Sequence, residues 1–193
     1  MDKLVENHGD IVTRETLGKS IQGRKLDMVT ITDPVVEGGT ITDKEGREVK
    51  KRTVLVMARS HPGESPASFV VQGLMDFLVS KHKVAQELRE KLIFKVIPMM
   101  NPDGVYLGNY RGNLLGKLRH NRCIMIIWWP GIDLNRVWDT SSPHAHPTVH
   151  AVKCLIEKLS KSENPLDFVL DIHVSNTLLG FFVVGNAYDS VFR

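Results

Sequence analysis

The stretch "TVLVMARSHPGESPASF", Thr53 to Phe69, joins a strand pattern to a helix pattern through one sharp turn. Its first eight residues, ending at Ser60, form an apolar run of strand length, which is typical of a strand buried on both faces. Ser65 and Pro66 then supply an N-cap and a first-turn proline, and apolar residues recur at helical spacing after them. A buried strand followed directly by a helix predicts an α/β domain.

The same alternation of strand and helix patterns continues on both sides of this stretch. The helix that begins at Ser65 is predicted to run to about Ser80, and an amphipathic helix is predicted over Pro147 to Ser160. Further strands are predicted over Arg24–Thr32, Leu92–Met100 and Leu166–His173. We therefore expect a mixed, largely parallel central sheet with helices on both faces.

The composition excludes several classes of protein. The chain has 193 residues, of which 25 are Lys or Arg and 22 are Asp or Glu, so its net charge is +3. The basic residues are scattered apart from Lys50, Lys51 and Arg52, which argues against a nucleic-acid partner. Two cysteines without CxxC spacing argue against a disulfide scaffold, and no apolar run approaches the roughly 20 residues needed to cross a bilayer. We expect a cytoplasmic protein with no membrane contact.

Side chains that can bind metals follow two of the predicted strands. His61 and Glu64 come directly after the strand that ends at Ser60, and His173 ends the strand that begins at Leu166. Ligand sites in open α/β sheets gather at the carboxyl ends of the strands, so these side chains are expected to lie together. Two histidines and one glutamate leave a fourth zinc position for water, as in a catalytic site. Each motif alone is common by chance, so an ordinary turn stays open as the alternative.

Four motifs occur in a fixed order along the chain. They are "HPGE" (61–64), "NPDGVYLGNYR" (101–111), "DLNR" (133–136) and "DIH" (171–173). Together they resemble the zinc metallocarboxypeptidases, and in particular the cytosolic carboxypeptidase branch of that family. The resemblance extends from about Glu15 to Tyr188. It implies a metallocarboxypeptidase-like α/β fold, one zinc ion and cleavage of residues from the C-terminus of a protein.

The resemblance assigns the metal-binding residues one by one. It makes His61, Glu64 and His173 the three ligands of a single zinc ion. Asp133 then becomes the carboxylate that orients a ligand histidine. Without the resemblance Asp133 could equally be a turn residue, and Asp171 is predicted to be a strand-end residue with no catalytic part.

The resemblance also assigns the substrate contacts. Arg111 would polarise the scissile carbonyl and stabilise the developing oxyanion, while Asn135 and Arg136 would hold the terminal carboxylate of the substrate. These residue types suit those tasks, because a guanidinium offers a planar fork of donors to a carboxylate. Outside the motif context, both arginines would be interpreted as surface residues.

Three histidines close together, His144, His146 and His150, raise the possibility of a second metal site. His146 and His150 have helical spacing, but Pro147 between them is predicted to start the helix and to leave His146 outside it. A second site is therefore not expected.

The chain departs from the family pattern in its middle and at both ends. Residues Lys117 to Gly131 interrupt the usual spacing, and we expect them to be a non-native insert such as a retained intron. No glutamate follows Glu163, so the glutamate that serves the family as general base is not expected in this chain. Residues 1–14 are too few for the family's N-terminal β-rich domain. We expect them to be a remnant that leads into residues 15–193, the N-terminal part of a truncated catalytic domain.

Three functions are compatible with these features. The first is a zinc carboxypeptidase, for which the family implies glutamates of polyglutamylated or acidic-tailed proteins such as tubulin as substrates; this chain would be an inactive fragment of it. The second is a non-catalytic, zinc-containing module that binds acidic C-terminal tails. The third is a zinc N-deacylase of the aspartoacylase type, which the carboxypeptidase order of "NPDG" and "DLNR" disfavours.

Overall fold

The described chain begins with a short helix and five consecutive strands, and helices and strands are mixed after them. A computed structural model describes residues 1–34, 40–42, 45–113, 131–175, 177 and 180–185. The strands are β1 (Val12–Lys19), β2 (Lys25–Ile31), β3 (Thr40–Thr42), β4 (Glu48–Lys50), β5 (Arg52–Ala58), β6 (Leu92–Ile97) and β7 (Leu166–Ile172). The helices are α1 (Asp2–Asn7), α2 (Ser65–Leu78), α3 (Lys83–Lys91), α4 (Pro102–Tyr106) and α5 (Pro147–Ser160), and a 3₁₀ turn covers Leu134–Arg136.

Five strands form a mixed sheet in the order β1-β2-β6-β5-β7. The pairs β1/β2 and β2/β6 are antiparallel, whereas β5 pairs in parallel with β6 on one side and β7 on the other. The predicted α/β fold with a mixed sheet is therefore confirmed. The three parallel strands place their carboxyl ends at one edge, where α/β sheets bind ligands.

Strand β5 carries the core on both of its faces. Val54, Val56 and Ala58 pack with α2 on one face, and Leu55 and Met57 pack with α5 on the other. All five side chains are buried, as the apolar run predicts. Successive side chains of a strand point to opposite faces, so a strand covered by helices on both sides needs an unbroken apolar sequence.

The sequence patterns do not predict the helix α3, because few of its side chains are buried. Among its side chains only Ala85 and Arg89 are buried. Arg89 takes the place of an apolar anchor, because its Nε donates to Asp33 Oδ1 at 2.8 Å and its Nη1 donates to the Leu78 carbonyl at 2.6 Å. A helix held by a buried arginine has no apolar stripe to reveal it.

The predicted insert falls almost wholly outside the described residues, since residues 114–130 lie outside them. The chain on either side of this segment meets directly, because the Asn113 N–H donates to the Ile132 carbonyl at 2.9 Å. The predicted start of the domain at Glu15 falls inside β1, which begins at Val12. In the part of the chain that the structure describes, no helix is long and apolar enough to cross a membrane.

Candidate metal centre

The loop between β5 and α2, residues 59–64, turns sharply at the edge of the sheet. Arg59 has φ 58° and is the only described non-glycine residue with a positive φ, a conformation that costs roughly 1–2 kcal/mol for such residues. Gly63 donates its N–H to the Tyr110 carbonyl at 2.7 Å. A Cβ at Gly63 would lie 2.7 Å from that same oxygen. Only glycine permits this contact between the loop and the segment before Arg111.

Three side chains converge at this edge. His61 Nδ1 lies 2.7 Å from Glu64 Oε1, and His173 Nδ1 lies 3.0 Å from Glu64 Oε2. One potential ligand atom from each residue lies within 4.8 Å of the other two. His173 reaches the group because β7 pairs with β5 in parallel. The structure thus brings together the three residues that the sequence places at strand ends, and the group can hold a metal ion.

A carboxylate occupies the second nitrogen of each histidine ring. His61 Nε2 donates to Asp133 Oδ1 at 2.9 Å, and His173 Nε2 donates to Asp171 Oδ2 at 2.7 Å. The hydrogen bond to Asp171 raises the pKa of His173, and burial opposes it. A carboxylate that accepts one ring N–H leaves the other nitrogen available to a metal. Both Nδ1 atoms face Glu64, so this donor set fits a zinc ion.

Asp133 links the histidine to an arginine. Its Oδ1 accepts the Asn135 N–H at 2.9 Å, and its Oδ2 accepts the Arg111 Nε–H at 2.8 Å. Burial by itself raises the pKa of Asp133, but the Asn135 N–H together with His61 and Arg111 holds it below the ordinary value. Asp133 is therefore an ionised carboxylate that orients His61 and Arg111 at once.

Comparison with known proteins assigns the chain to a family. The family model described as zinc carboxypeptidase, Peptidase M14, matches residues 1–190. The chain belongs to the zinc carboxypeptidase family. This membership confirms the resemblance to the zinc metallocarboxypeptidases that the four motifs carry.

Curated relatives and solved structures support the same assignment. Cytosolic carboxypeptidase 6 of Mus musculus is 45% identical over 190 residues, which cover 98% of this chain and 31% of that protein. The human protein of the same name is 43% identical over 190 residues, 98% of this chain and 33% of its own length. The chain spans about a third of the length of these relatives. A metallo-carboxypeptidase from Burkholderia cenocepacia is 27% identical with a TM-score of 0.71, covering 92% of this chain and 40% of that chain.

The three residues expected to contact substrate lie near the metal group. Asn135 Nδ2 lies 3.4 Å from His173 Nε2, and its Oδ1 accepts the Trp138 Nε1–H at 3.1 Å. The Arg111 side chain is 47% exposed although Asp133 holds its Nε. Arg136 is exposed, and its Nη1 donates to the Asn135 carbonyl at 3.3 Å. Both guanidinium groups are exposed, and each is hydrogen-bonded to a neighbour of the histidines, Arg111 to Asp133 and Arg136 to the Asn135 carbonyl.

The "NPDG" motif packs against the β5–α2 loop. Asn101 caps α4, because its Oδ1 accepts the Gly104 N–H at 3.0 Å, and its Nδ2 donates to the Ser60 carbonyl at 3.3 Å. A Cβ at Gly104 would lie 2.4 Å from Pro62 Cγ. The motif therefore packs directly against the loop that carries His61 and stabilises it.

Asp103 of the same motif fastens α4 to the turn between β1 and β2. Its Oδ1 accepts from Ser20 Oγ at 2.6 Å and from Arg24 Nη1 at 2.8 Å. The Arg24 guanidinium in turn lies 3.7 Å from the centre of the Tyr106 ring. These contacts anchor the segment that leads to Arg111.

The sequence analysis gives Asp171 no part in the site, whereas the structure places its carboxylate on the ring of His173, and it does not consider Arg59. Asp171 stands two positions before His173, and residues i and i+2 of a strand share a face; the spacing of the "DIH" motif was the available signal. No sequence signal marks the backbone of Arg59. Among the described residues, the only group that could hold a metal ion is that of His61, Glu64 and His173.

Proposed function

We propose that the chain forms the metal-binding part of a zinc metallocarboxypeptidase of the cytoplasm. Its substrates would be C-terminal residues, in particular glutamates of polyglutamylated or acidic-tailed proteins such as tubulin. The observation that carries the proposal is the convergence of His61, Glu64 and His173, with each histidine held by a carboxylate on its other nitrogen. The name cytosolic carboxypeptidase borne by the relatives supports the proposed class and location.

His61, Glu64 and His173 would hold one zinc ion. When bound, zinc polarises the scissile carbonyl and lowers the pKa of water to about 7. Asp133 and Asp171 accept the Nε2–H of the two histidines and so keep each Nδ1 directed to the centre. Both rings are thereby held in one tautomer and one orientation before the ion arrives.

Arg111 would stabilise the charge that develops on the substrate carbonyl. Its Nε–H is used by Asp133, and a guanidinium carries two further amino groups that can donate to an oxyanion. Asn135 and Arg136 would hold the terminal carboxylate of the substrate. A hydrogen bond to a charged group contributes roughly 1.5–3 kcal/mol, which favours substrates that end in a free carboxylate.

A second candidate is a zinc-containing module that binds acidic tails without cleaving them. Among the described residues, each carboxylate at the centre already has a partner: Glu64 faces both histidines, Asp133 holds His61 and Arg111, and Asp171 holds His173. A general base must be able to take a proton from attacking water, and it typically contributes about 10²–10⁴-fold in rate. This arrangement favours the second candidate, which predicts little or no turnover from the present chain.

Metal analysis of the purified protein tests the site. One zinc ion per chain is expected, with loss of stoichiometric zinc in His61→Ala, Glu64→Ala and His173→Ala. His144→Ala, an exposed histidine, is the matched control and should keep its zinc. Full zinc in any of the three ligand variants would reject the assignment.

Release of glutamate from a polyglutamylated peptide then separates the two candidates. The enzyme should release glutamate in a reaction that a zinc chelator stops, whereas the binding module should retain the peptide and release nothing. Arg136→Ala should weaken binding of the peptide in either case. A chain that holds zinc but neither binds nor cleaves any acidic tail would refute both candidates.

A further inference from the structure

We propose that Arg59 is a positioning residue of the metal centre, whose guanidinium shapes the β5–α2 loop so that His61 and Glu64 face one ion. The proposal rests on the zinc site proposed above and adds a residue that is neither a ligand nor a contact of the ligand rings. A guanidinium has no lone pair to offer a metal, so Arg59 cannot be a ligand itself.

The first argument comes from the backbone. Arg59 has φ 58°, a left-handed conformation that glycine adopts without strain and that long side chains rarely adopt. It stands two residues before His61, directly after the last residue of β5. Strained residues persist where the surrounding structure demands them, and they cluster at functional sites. An arginine at this position therefore needs a compensating task for its side chain.

The second argument comes from the contacts of the side chain, which is 8% exposed. Nη2 donates to the Pro62 carbonyl at 2.6 Å, and Nη1 donates to Ser68 Oγ at 2.9 Å. Pro62 lies in the middle of the loop, and Ser68 lies in the first turns of α2. One rigid fork therefore spans the segment that carries Glu64 and fixes the distance between the end of β5 and the start of α2.

The third argument concerns the sign of the charge. Arg59 carries a positive charge two residues before the proposed ligand His61. A cation beside the ligand set repels a second cation. If Arg59 acted by charge alone, its removal would strengthen zinc binding. If it positions the loop, its removal weakens zinc binding although a positive charge is lost.

The test compares zinc dissociation constants, measured by competition with a chromophoric chelator, in the full chain and its variants. Arg59→Gly suits the backbone, because glycine accepts the positive φ while the fork is removed. We expect zinc binding about 10- to 100-fold weaker, the range for residues that orient metal ligands. Arg59→Lys and Ser68→Ala should lose less. Arg47→Gly removes an exposed arginine paired with Glu45 and should change nothing.

Two further measurements separate positioning from a general loss of stability. The absorption spectrum of the Co²⁺-loaded protein should change in Arg59→Gly, because the ligands no longer meet in one geometry. Methylguanidinium should restore zinc affinity to Arg59→Gly, whereas methylammonium, which lacks the fork, should not. A merely structural role would lower the melting temperature of the metal-free variant and leave zinc affinity and the spectrum as in the wild type.

Each outcome decides the proposal. A folded Arg59→Gly variant with wild-type zinc affinity, or with tighter binding, overturns it. If that variant does not fold, unchanged affinity in both Arg59→Lys and Ser68→Ala overturns it. A wild-type chain that binds no zinc refutes the zinc site, and this proposal with it. If the wild-type chain binds zinc and every Arg59 variant binds it equally tightly, the positioning role is refuted and the zinc site stands.

Discussion

Replacing Asp171 by asparagine should weaken zinc binding, although Asp171 touches no metal. Its Oδ2 accepts the His173 Nε2–H at 2.7 Å, and the pair is partly shielded, with 23% of the Asp171 side chain and 30% of the His173 side chain exposed. Asparagine keeps an oxygen of the same shape but carries no charge. The change therefore isolates the charge of the hydrogen bond from its geometry.

The size of the effect follows from the type of bond. A hydrogen bond to a charged group contributes roughly 1.5–3 kcal/mol and a neutral one roughly 0.5–1.5 kcal/mol. The difference of about 1–1.5 kcal/mol corresponds to a zinc dissociation constant ~5- to 12-fold higher. Asp133→Asn should cost more, because Asp133 also holds Arg111 and the Asn135 N–H.

Competition with a chromophoric chelator measures both variants against a control on the same strand. Asp167→Asn removes the charge of a surface carboxylate that pairs with Arg52 at 2.7 Å; such pairs contribute little to stability, and zinc binding should not change. Nitrogen-15 chemical shifts of the His173 ring supply a second readout, since the Nε2–H tautomer should lose its dominance in Asp171→Asn. Wild-type affinity and an unchanged tautomer in that variant would refute the reasoning.

Three further predictions concern stability. Gly104→Ala places a Cβ 2.4 Å from Pro62 Cγ, so overpacking should lower stability by roughly 1–3 kcal/mol, visible as a lower melting temperature. Gly73→Ala adds a Cβ with nothing within 4 Å of it, so it should raise the free energy of unfolding by about 0.5–1 kcal/mol. A lower melting temperature in this variant would show that another part of the protein packs on this face of α2. Burial lowers the pKa of His146 below its ordinary 6.5. As the pH falls, the His146 ring is protonated in the unfolded chain before it is protonated in the folded protein. The free energy of unfolding therefore decreases as the pH drops below 6.5. The loss of melting temperature between about pH 7.5 and 5.5 should shrink in His146→Gln and stay as in the wild type in His144→Gln, an exposed control.

Continuous apolar runs and the amphipathic stripe of α5 reveal the elements that carry them, including β7, whose Phe168, Val169 and Leu170 are exposed at the edge of the sheet. The predicted helix at Pro147–Ser160 matches α5, and the apolar runs match β2, β5, β6 and β7 within a few residues. β1 and α3 escape prediction because neither carries a continuous apolar run or a broad apolar stripe. β1 buries only Val12, since it lies at the edge of the sheet. Such elements depend on neighbours for their stability, and local sequence does not record those neighbours.

The sequence by itself determined which side chains stand at strand ends, and its four ordered motifs determined the family. It could not determine that β7 lies beside β5, which brings His173 within 3.0 Å of Glu64 across 109 positions of the chain. Nor could it determine the partners of Asp171 or the positive φ of Arg59. Hydrogen bonds and backbone strain depend on distances that exist only after the sheet has formed, because strand order is set by packing rather than by any local pattern. The sequence therefore determines which side chains the site contains, and the fold determines the distances between them.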